Sequence, residues 1–445
     1  MKIALIGFGL EAKSAYDFLS KKFAQAEFYI YDEKPESKVE LPQGVNFYGD
    51  FHDLAQIEAD LIVRTPAVNP RRLPQNIKIT SVTNLFFEHC PAPIIGVTGS
   101  KGKGTVSSFI AEILRAAGVK THLVGNIGVP ALDNLAQIKA EDVVVYELSS
   151  FQLWDLERAP HIAILNNIEP DHLDVHDGMT DYIAAKMNIA RKQQEGDFFS
   201  YNHENQTVEK AVENLRSALK AELQAFPNFD LAHVAENQFF WGNEAIFGVD
   251  ILKLPGEHNQ KNACAAMIAT FDFLREKGLE MEDIFAAWQE GLSKFEGLPH
   301  RLKFVRELNG VKFYDDSIAT TPGSAIAAIK SFVQPKILIL GGSDKGADLS
   351  ELISEIVDSS EDEIRKVILI GVEANKLAER LKAKHFTRVE NLGLKTDINQ
   401  IVKTAFNSAK SGDVVVTSPA HASFDMFKSY ADRGEQFVKA VEGLN

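Results

Sequence analysis

Short apolar runs separated by segments of helical period recur along the whole chain. In the first 90 residues KIALIG, FYIYD and DLIVRTP alternate with polar or helix-like stretches, the rhythm of a small parallel α/β unit. The prolines of CPAPI at 90–94 precede a new apolar run, IIGV, and place a boundary near residue 91. A long helical pattern, MEDIFAAWQEGLSKF, ends in EGLPHR near Leu298 and marks a second boundary. Beyond it VKFYDD, KILILGG, KVILIG and DVVVTSP read as strands, separated by segments such as ANKLAERLKAKH. The absence of a short-period repeat or low-complexity tract disfavours a solenoid. The pattern predicts three consecutive α/β domains over 1–90, 91–297 and 298–445.

Composition agrees with this division. A length of 445 residues suits about three domains of roughly 150 residues each. Hydrophobic residues at 45% and charged residues at 24% supply several cores and rule out wholesale disorder. The net charge of −15 argues against bulk electrostatic attraction to nucleic acid or an anionic membrane. A local basic pocket for a phosphorylated small molecule stays compatible with it. Cys90 and Cys264 are too few for a disulfide framework and have no metal-ligand spacing, which fits a reducing compartment. MKIALIGFGLEAKS is not a signal peptide, and no stretch approaches ~18 uninterrupted apolar residues, so a cytoplasmic protein without membrane insertion is expected.

The strongest local signal is IIGVTGSKGKGTVSSFIAEILRAAG: a strand-like run, a glycine-rich turn and a helix with Val106, Phe109, Ile110, Ile113 and Leu114 on one face. Gly99, Gly102 and Gly104 allow backbone N–H groups to crowd around phosphate oxygens. The following helix points its positive end at them, and Lys103 adds a point charge. ATP is the natural ligand. The strict pattern G-x-x-x-x-G-K-[ST] is broken twice, by Val97 at the first glycine position and by Gly104 after the lysine, so Thr105 must supply any magnesium-binding hydroxyl.

Farther along, VVVYELSSFQL puts Glu147 at the end of a β-branched run, where a carboxylate can hold magnesium beside phosphates. Then ILNNIEPDHLDVHDGMTDYIAAK presents Asp171, His172, Asp174 and His176, followed by Lys186 on a predicted helix. The cluster could be a zinc site, but no cysteine or H-E-x-x-H pattern supports that, and magnesium beside ATP is the better reading. At the N-terminus GFGLEA fits G-x-G-x-x-[GA], with Asp32 twenty residues after Ala12, which formally satisfies a dinucleotide fingerprint. Only about 90 residues are available before the ATP loop, too few for a six-strand dinucleotide domain.

Together, GSKGKGT, ELSSFQL, PDHLD and AAK resemble the ATP-dependent Mur ligases of peptidoglycan synthesis. The resemblance extends over the chain through GEHNQKN at 256–262, LPHR at 298–301, DDSIAT at 315–320, GGSDKGAD at 341–348 and SPAHASFDMFKSYADRG at 418–434. It implies a small Rossmann-like N-terminal domain for a UDP-sugar, a central P-loop ATPase domain and a C-terminal Rossmann-like domain for an amino acid. The implied reaction is ATP-dependent joining of D-glutamate to UDP-N-acetylmuramoyl-L-alanine through an acyl phosphate, by a monomer. ATP would be held by Gly99, Ser100, Lys101, Gly102, Lys103, Gly104 and Thr105, with Asn259, Asn262, Arg301 and Asp316 from farther along. Two magnesium ions are implied, one on Thr105 and Glu147, the other on His172 and on Lys186 after that lysine forms a carbamate with carbon dioxide. Carbamylation replaces a repelling ammonium by hard oxygen ligands. The catalytic set is then Lys103, His172 and Lys186. The UDP-sugar would meet Leu10 and Glu11, Asp32, Glu33 and Lys34, and Asn126 of GNIG. The amino acid would meet Lys345, Thr320, Ser423 and Tyr430.

Four positions depart from the family pattern: Ile318 where a lysine is usual, Gly104 after the loop lysine, Ala67 for a frequent glycine and Tyr430 for a frequent phenylalanine. They bear on the choice of amino acid more than on the ligase class. The alternatives are a ligase of the folylpolyglutamate synthase type or a nucleotide-binding protein without turnover. The first lacks a separate 90-residue nucleotide-sugar domain.

Overall fold

The computed structural model describes residues 1–35, 39–125, 130–173, 175–343 and 347–445. They form two compact units, Met1–Ile251 with Gln260–Lys294, and Leu252–Asn259 with Phe295–Asn445.

The first unit carries two parallel sheets. One is built from β1 (Lys2–Ile6), β2 (Glu27–Tyr31), β3 (Asn46–Tyr48), β4 (Leu61–Arg64) and β5 (Lys78–Ser81), in the order β3-β2-β1-β4-β5. The other is built from β6 (Ile94–Thr98), β7 (Thr121–Gly125), β8 (Val143–Glu147), β9 (Ile162–Leu165), β10 (Phe198–Asn202) and β11 (Glu222–Phe226), in the order β11-β10-β9-β6-β8-β7. Strands β6, β8 and β9 are buried throughout, as near-continuous Val/Ile/Leu runs covered by helices on both faces must be. An antiparallel meander of β12 (Ala232–Ala235), β13 (Gln238–Trp241) and β14 (Glu244–Gly248) follows. In each parallel sheet the strand order reverses beside the first strand, so the switch points lie at the carboxyl ends of β1 and β6, where ligands of such sheets bind. Both glycine-rich turns found in the sequence sit there.

Close packing backs the helix that follows the glycine loop. Val106, Phe109, Ile110, Ile113 and Leu114 of Lys103–Ala116 are all fully buried, as their spacing predicts. The helix Met281–Lys294 lies against them so closely that a Cβ on Gly291 would stand 2.5 Å from the Ile113 backbone.

The second unit has one sheet, β15 (Lys303–Leu308), β16 (Val311–Asp315), β17 (Lys336–Gly341), β18 (Ile364–Ile370), β19 (Val389–Gly393) and β20 (Val414–Thr417), in the order β15-β16-β20-β17-β18-β19. Only the β15/β16 pair is antiparallel. Among the described residues no helix is long and apolar enough to cross a membrane.

Candidate active site

Strands β9, β6 and β8 are neighbours, so the segments that follow them, NNIEPDHLD, GSKGKGT and ELSS, emerge from one edge of the sheet. The turn after β6 is a tight cradle. Gly102 has φ +80°, and a Cβ there would stand 2.8 Å from Asn262 Oδ1 and closer still to the Asn166 amide. Only glycine fits this combination of left-handed backbone and near contact. Asn166, which the sequence reading did not single out, donates from Nδ2 to Asn262 Oδ1 at 2.8 Å and to the Lys101 carbonyl at 3.3 Å. Its signal is its position right after β9, next to the loop strand. Lys103 opens the helix and folds its ammonium onto the Gly99 and Ser100 carbonyls at 2.8 and 3.0 Å. The Ser100 hydroxyl meets the Tyr182 hydroxyl at 2.8 Å, and Lys101 pairs with Glu169 at 2.6 Å. Gly104 and Thr105 are buried in the first helical turn.

Lys186 comes to the same loop from the helix Gly178–Arg191. Its side chain is 1% exposed and donates to the Gly99 carbonyl at 2.7 Å. Burial, and secondarily the charge of Lys103, hold its amine well below the ordinary lysine range, against the opposing pull of Asp171 and Glu147. Tyr182, four residues earlier on that helix, places its ring 4.7 Å under the lysine nitrogen. This spacing puts both residues on one helix face, a sequence signal for Tyr182 that the motif reading passed over. Glu147 ends β8 with 5% exposure. His172 has φ +52°, is half exposed at its side chain, and lies 3.6 Å from Asp171. Asp174 and Asn126 lie outside the described residues.

The two histidines of DHLDVH diverge in role. His176 is engaged at both ring nitrogens, by Asp181 at 3.0 Å and Ser150 at 2.9 Å, so it offers no lone pair to a metal. Among the described residues no three His, Cys, Asp or Glu side chains group as a metal site. Glu147 and Thr105, both buried, offer hard oxygen donors beside the loop. The residues present therefore suit a hard cation.

At the carboxyl end of β1, Gly7, Phe8 and Gly9 turn into the helix Leu10–Lys22. Asp32 closes this turn by accepting from the Phe8 N–H at 2.7 Å and the Lys34 N–H at 2.8 Å. A cavity of about 360 Å³ opens beside it, lined by Phe8, Gly9, Lys13, Asp32, Lys34, Val39 and Glu40, with Lys13 paired to Glu40 at 2.8 Å. Leu10 and Glu33 are exposed, whereas Glu11 turns away to Gln152, which donates to it at 3.3 Å. Burial pushes the Glu11 carboxyl up despite Arg64 nearby.

In the second unit the DDSIAT, SPAHAS and GGS segments leave the carboxyl ends of adjacent strands β16, β20 and β17. Their backbones join there: Ala420 donates to Ala319 at 2.8 Å, and Ser343 to Ala422 at 2.9 Å. Thr320 is half-buried, Ser423 buried and Tyr430 exposed at the start of the helix Tyr430–Glu442. Ile318 is half-buried on the same turn. Lys345 lies outside the described residues. Asn259 is buried and donates to Pro255 at 2.7 Å, and Arg301 follows the left-handed His300.

Asp316 is buried and accepts from Ser418 Oγ at 2.7 Å and the Leu302 N–H at 3.1 Å, yet burial pushes its carboxyl up to about 7. Because the native group holds its proton over about pH 4 to 7 and the unfolded one does not, its stabilising contribution is present below that window and is lost as pH rises through it. Asp316→Asn should therefore flatten the fall in urea midpoint between pH 5 and 8. Parallel pH profiles for parent and variant would count against this ionisation.

The comparisons with known proteins agree with this geometry. Residues 97–270 match the Mur ligase middle domain, and residues 300–421 match the Mur ligase glutamate ligase domain. A UDP-N-acetylmuramoylalanine--D-glutamate ligase of Symbiobacterium thermophilum is 38% identical over 87% of this chain and 84% of its own. One of Clostridium tetani is 33% identical over 100% of this chain and 97% of its own. The solved UDP-N-acetylmuramate-alanine ligase of Thermotoga maritima shares the fold, with a TM-score of 0.59 at 18% identity over 99% of both chains.

Proposed function

The chain belongs to the Mur ligase family, and on that premise we propose how its own residues carry the reaction. It is an ATP-dependent ligase that adds D-glutamate to UDP-N-acetylmuramoyl-L-alanine in peptidoglycan synthesis. The observation that carries the site assignment is the meeting of two lysine amines, Lys103 and Lys186, on the Gly99 carbonyl of a glycine cradle.

In the proposed reaction the sugar-peptide carboxylate attacks the γ-phosphate of ATP and ADP leaves, giving an acyl phosphate. The amine of D-glutamate then attacks the acyl carbon and expels phosphate. Residues 1–90 take the UDP-sugar, 91–297 take ATP and 298–445 take the amino acid. Lys103 and the loop N–H groups orient the phosphates and neutralise charge that builds during transfer. Glu147 and Thr105 would hold one magnesium ion, and His172 with carbamylated Lys186 a second; when bound these ions neutralise phosphate charge. Arg301 and Asp316, with Asn259 and Asn262, complete the ATP contacts, and Asp316 suits the ribose hydroxyls. The Asp32 turn and its cavity, lined also by Lys34, suit the uridine end of the sugar substrate. Thr320, Ser423 and Tyr430, with Lys345, receive the amino acid.

The reading is tested by phosphate release from ATP in the presence of UDP-N-acetylmuramoyl-L-alanine with single amino acids added. Release with D-glutamate is expected. Release that requires folate and L-glutamate, or no release with any amino acid, would overturn it.

A further inference from the structure

A line of four polar side chains runs behind the loop. Arg71 Nη2 meets Asp181 Oδ1 at 2.5 Å, Asp181 Oδ2 meets His176 Nδ1 at 3.0 Å, and His176 Nε2 meets Ser150 Oγ at 2.9 Å. Asp181 also accepts from the Asp177 N–H at 3.2 Å. Asp181, His176 and Ser150 are buried, and Arg71 is the exposed end. Since a carboxylate only accepts, the proton sits on Nδ1 and the Ser150 hydroxyl donates to Nε2.

The order Ser–His–Asp is that of a hydrolase triad, but the enclosure removes that role. Ser150 is 2% exposed, and the His176 ring is stacked on Phe151 at 5.3 Å and packed by Trp154 and Tyr182 at 4.6 and 5.1 Å. No substrate carbonyl can approach such a hydroxyl. What the line joins is more telling. Ser150 lies three residues after Glu147, and Asp181 lies five residues before Lys186, about 7.5 Å along the same helix. Arg71 belongs to the 3-10 turn Pro70–Arg72 that follows β4 of the first sheet. Tyr182, which edges the His176 ring, is also bonded to Ser100 of the loop.

We propose that Arg71, Asp181 and His176 are positioning residues, which fix the register of the Lys186 helix against the Glu147 turn and tie that register to the 65–72 segment that follows β4. The inference rests on the reading of Glu147 and Lys186 as magnesium-binding residues. A ligand pair from two elements keeps its spacing only if the elements cannot slide, and outer partners of metal ligands are worth about 10–100-fold in metal affinity or activity. Arg71→Met, Asp181→Asn and His176→Gln each remove one link, and Arg71→Lys keeps the charge.

The test measures two things on each variant and on Lys186→Ala. One is kcat and KM in the phosphate-release assay. The other is the Mg2+ concentration that half-saturates the thermal stabilisation of the ADP-bound protein, which needs no turnover. The expected result is an Mg2+ midpoint raised about 10-fold or more and kcat lowered comparably in Arg71→Met, Asp181→Asn and His176→Gln. KM for ATP should stay within about two-fold, and Arg71→Lys should restore most of the loss. Arg71→Met tests the line with little risk to folding, because its side chain is the exposed end. If Lys186→Ala is inactive but the three variants keep the parent Mg2+ midpoint and kcat, the positioning role is overturned and the reading of the site stands. If the variants only lower the melting temperature and regain parent kcat on cooling, the line is a fold support and the proposal also fails. Full activity of Lys186→Ala would overturn the underlying reading instead.

Discussion

Lys186→Ala should lower phosphate release by about 10²–10³-fold, the scale of removing a group that stabilises charge in the transition state. The expectation comes from where the amine sits. A solvated helix lysine is protonated at neutral pH and repels a cation. Lys186 is instead 1% exposed, and burial with Lys103 nearby holds its amine well below the usual range, so the uncharged, nucleophilic form is accessible. That form can add to carbon dioxide: the nitrogen lone pair bonds to carbon, one N–H proton is released, and a carbamate anion remains. Bicarbonate should leave the variant inactive, because there is no amine to modify, whereas formate or acetate should partly restore turnover by supplying the missing oxygens. Activity in Lys186→Ala at parental level would remove the carbamate argument.

Arg64→Met should have the largest effect on stability. Arg64 ends β4 fully buried, pairs with both oxygens of Asp155 (Nε to Oδ2 at 2.7 Å) and donates to the carbonyls of Thr65, Val68 and Phe151. Methionine fills much of the volume but leaves the carboxylate and the carbonyls without their donor. Breaking a buried pair from one side costs about 3–5 kcal/mol, and the partial exposure of Asp155 moves this toward the lower figure. At about 2–4 °C per kcal/mol for a unit of this size, the first melting transition should fall by roughly 10 °C. A calorimetric shift of under about 2 °C would show that water replaces the guanidinium without loss.

Much of the site was legible because its chemistry is local. The glycines and Lys103 of GSKGKGT lie within one turn, and the cradle they form follows from the backbone freedom of Gly102 and the helix after it. Glu147 was visible at the end of a β-branched run, and Asp32 at its spacing from GFGLEA. Other members were not. Asn166 sits in ILNNIEP with no pattern of its own, and it matters only because β9 lies beside β6. His176 reads as one more polar residue in DHLDVH until its two ring bonds are seen. Nor was the bond legible that Glu11, expected near the diphosphate, accepts from Gln152, 141 residues away along the chain.

The sequence by itself determined the α/β rhythm, the glycine loop and the family, since periodicity and short motifs are properties of neighbours along the chain. Only the tertiary structure decided which ends of which strands stand together. Sheet order brings the turns after β6, β8 and β9 to one edge and those after β16, β17 and β20 to another, across separations of up to about a hundred residues. It also decided that Lys186 is a buried amine on Gly99 and His176 a closed link. Burial depends on what other elements cover, and no local pattern carries that information.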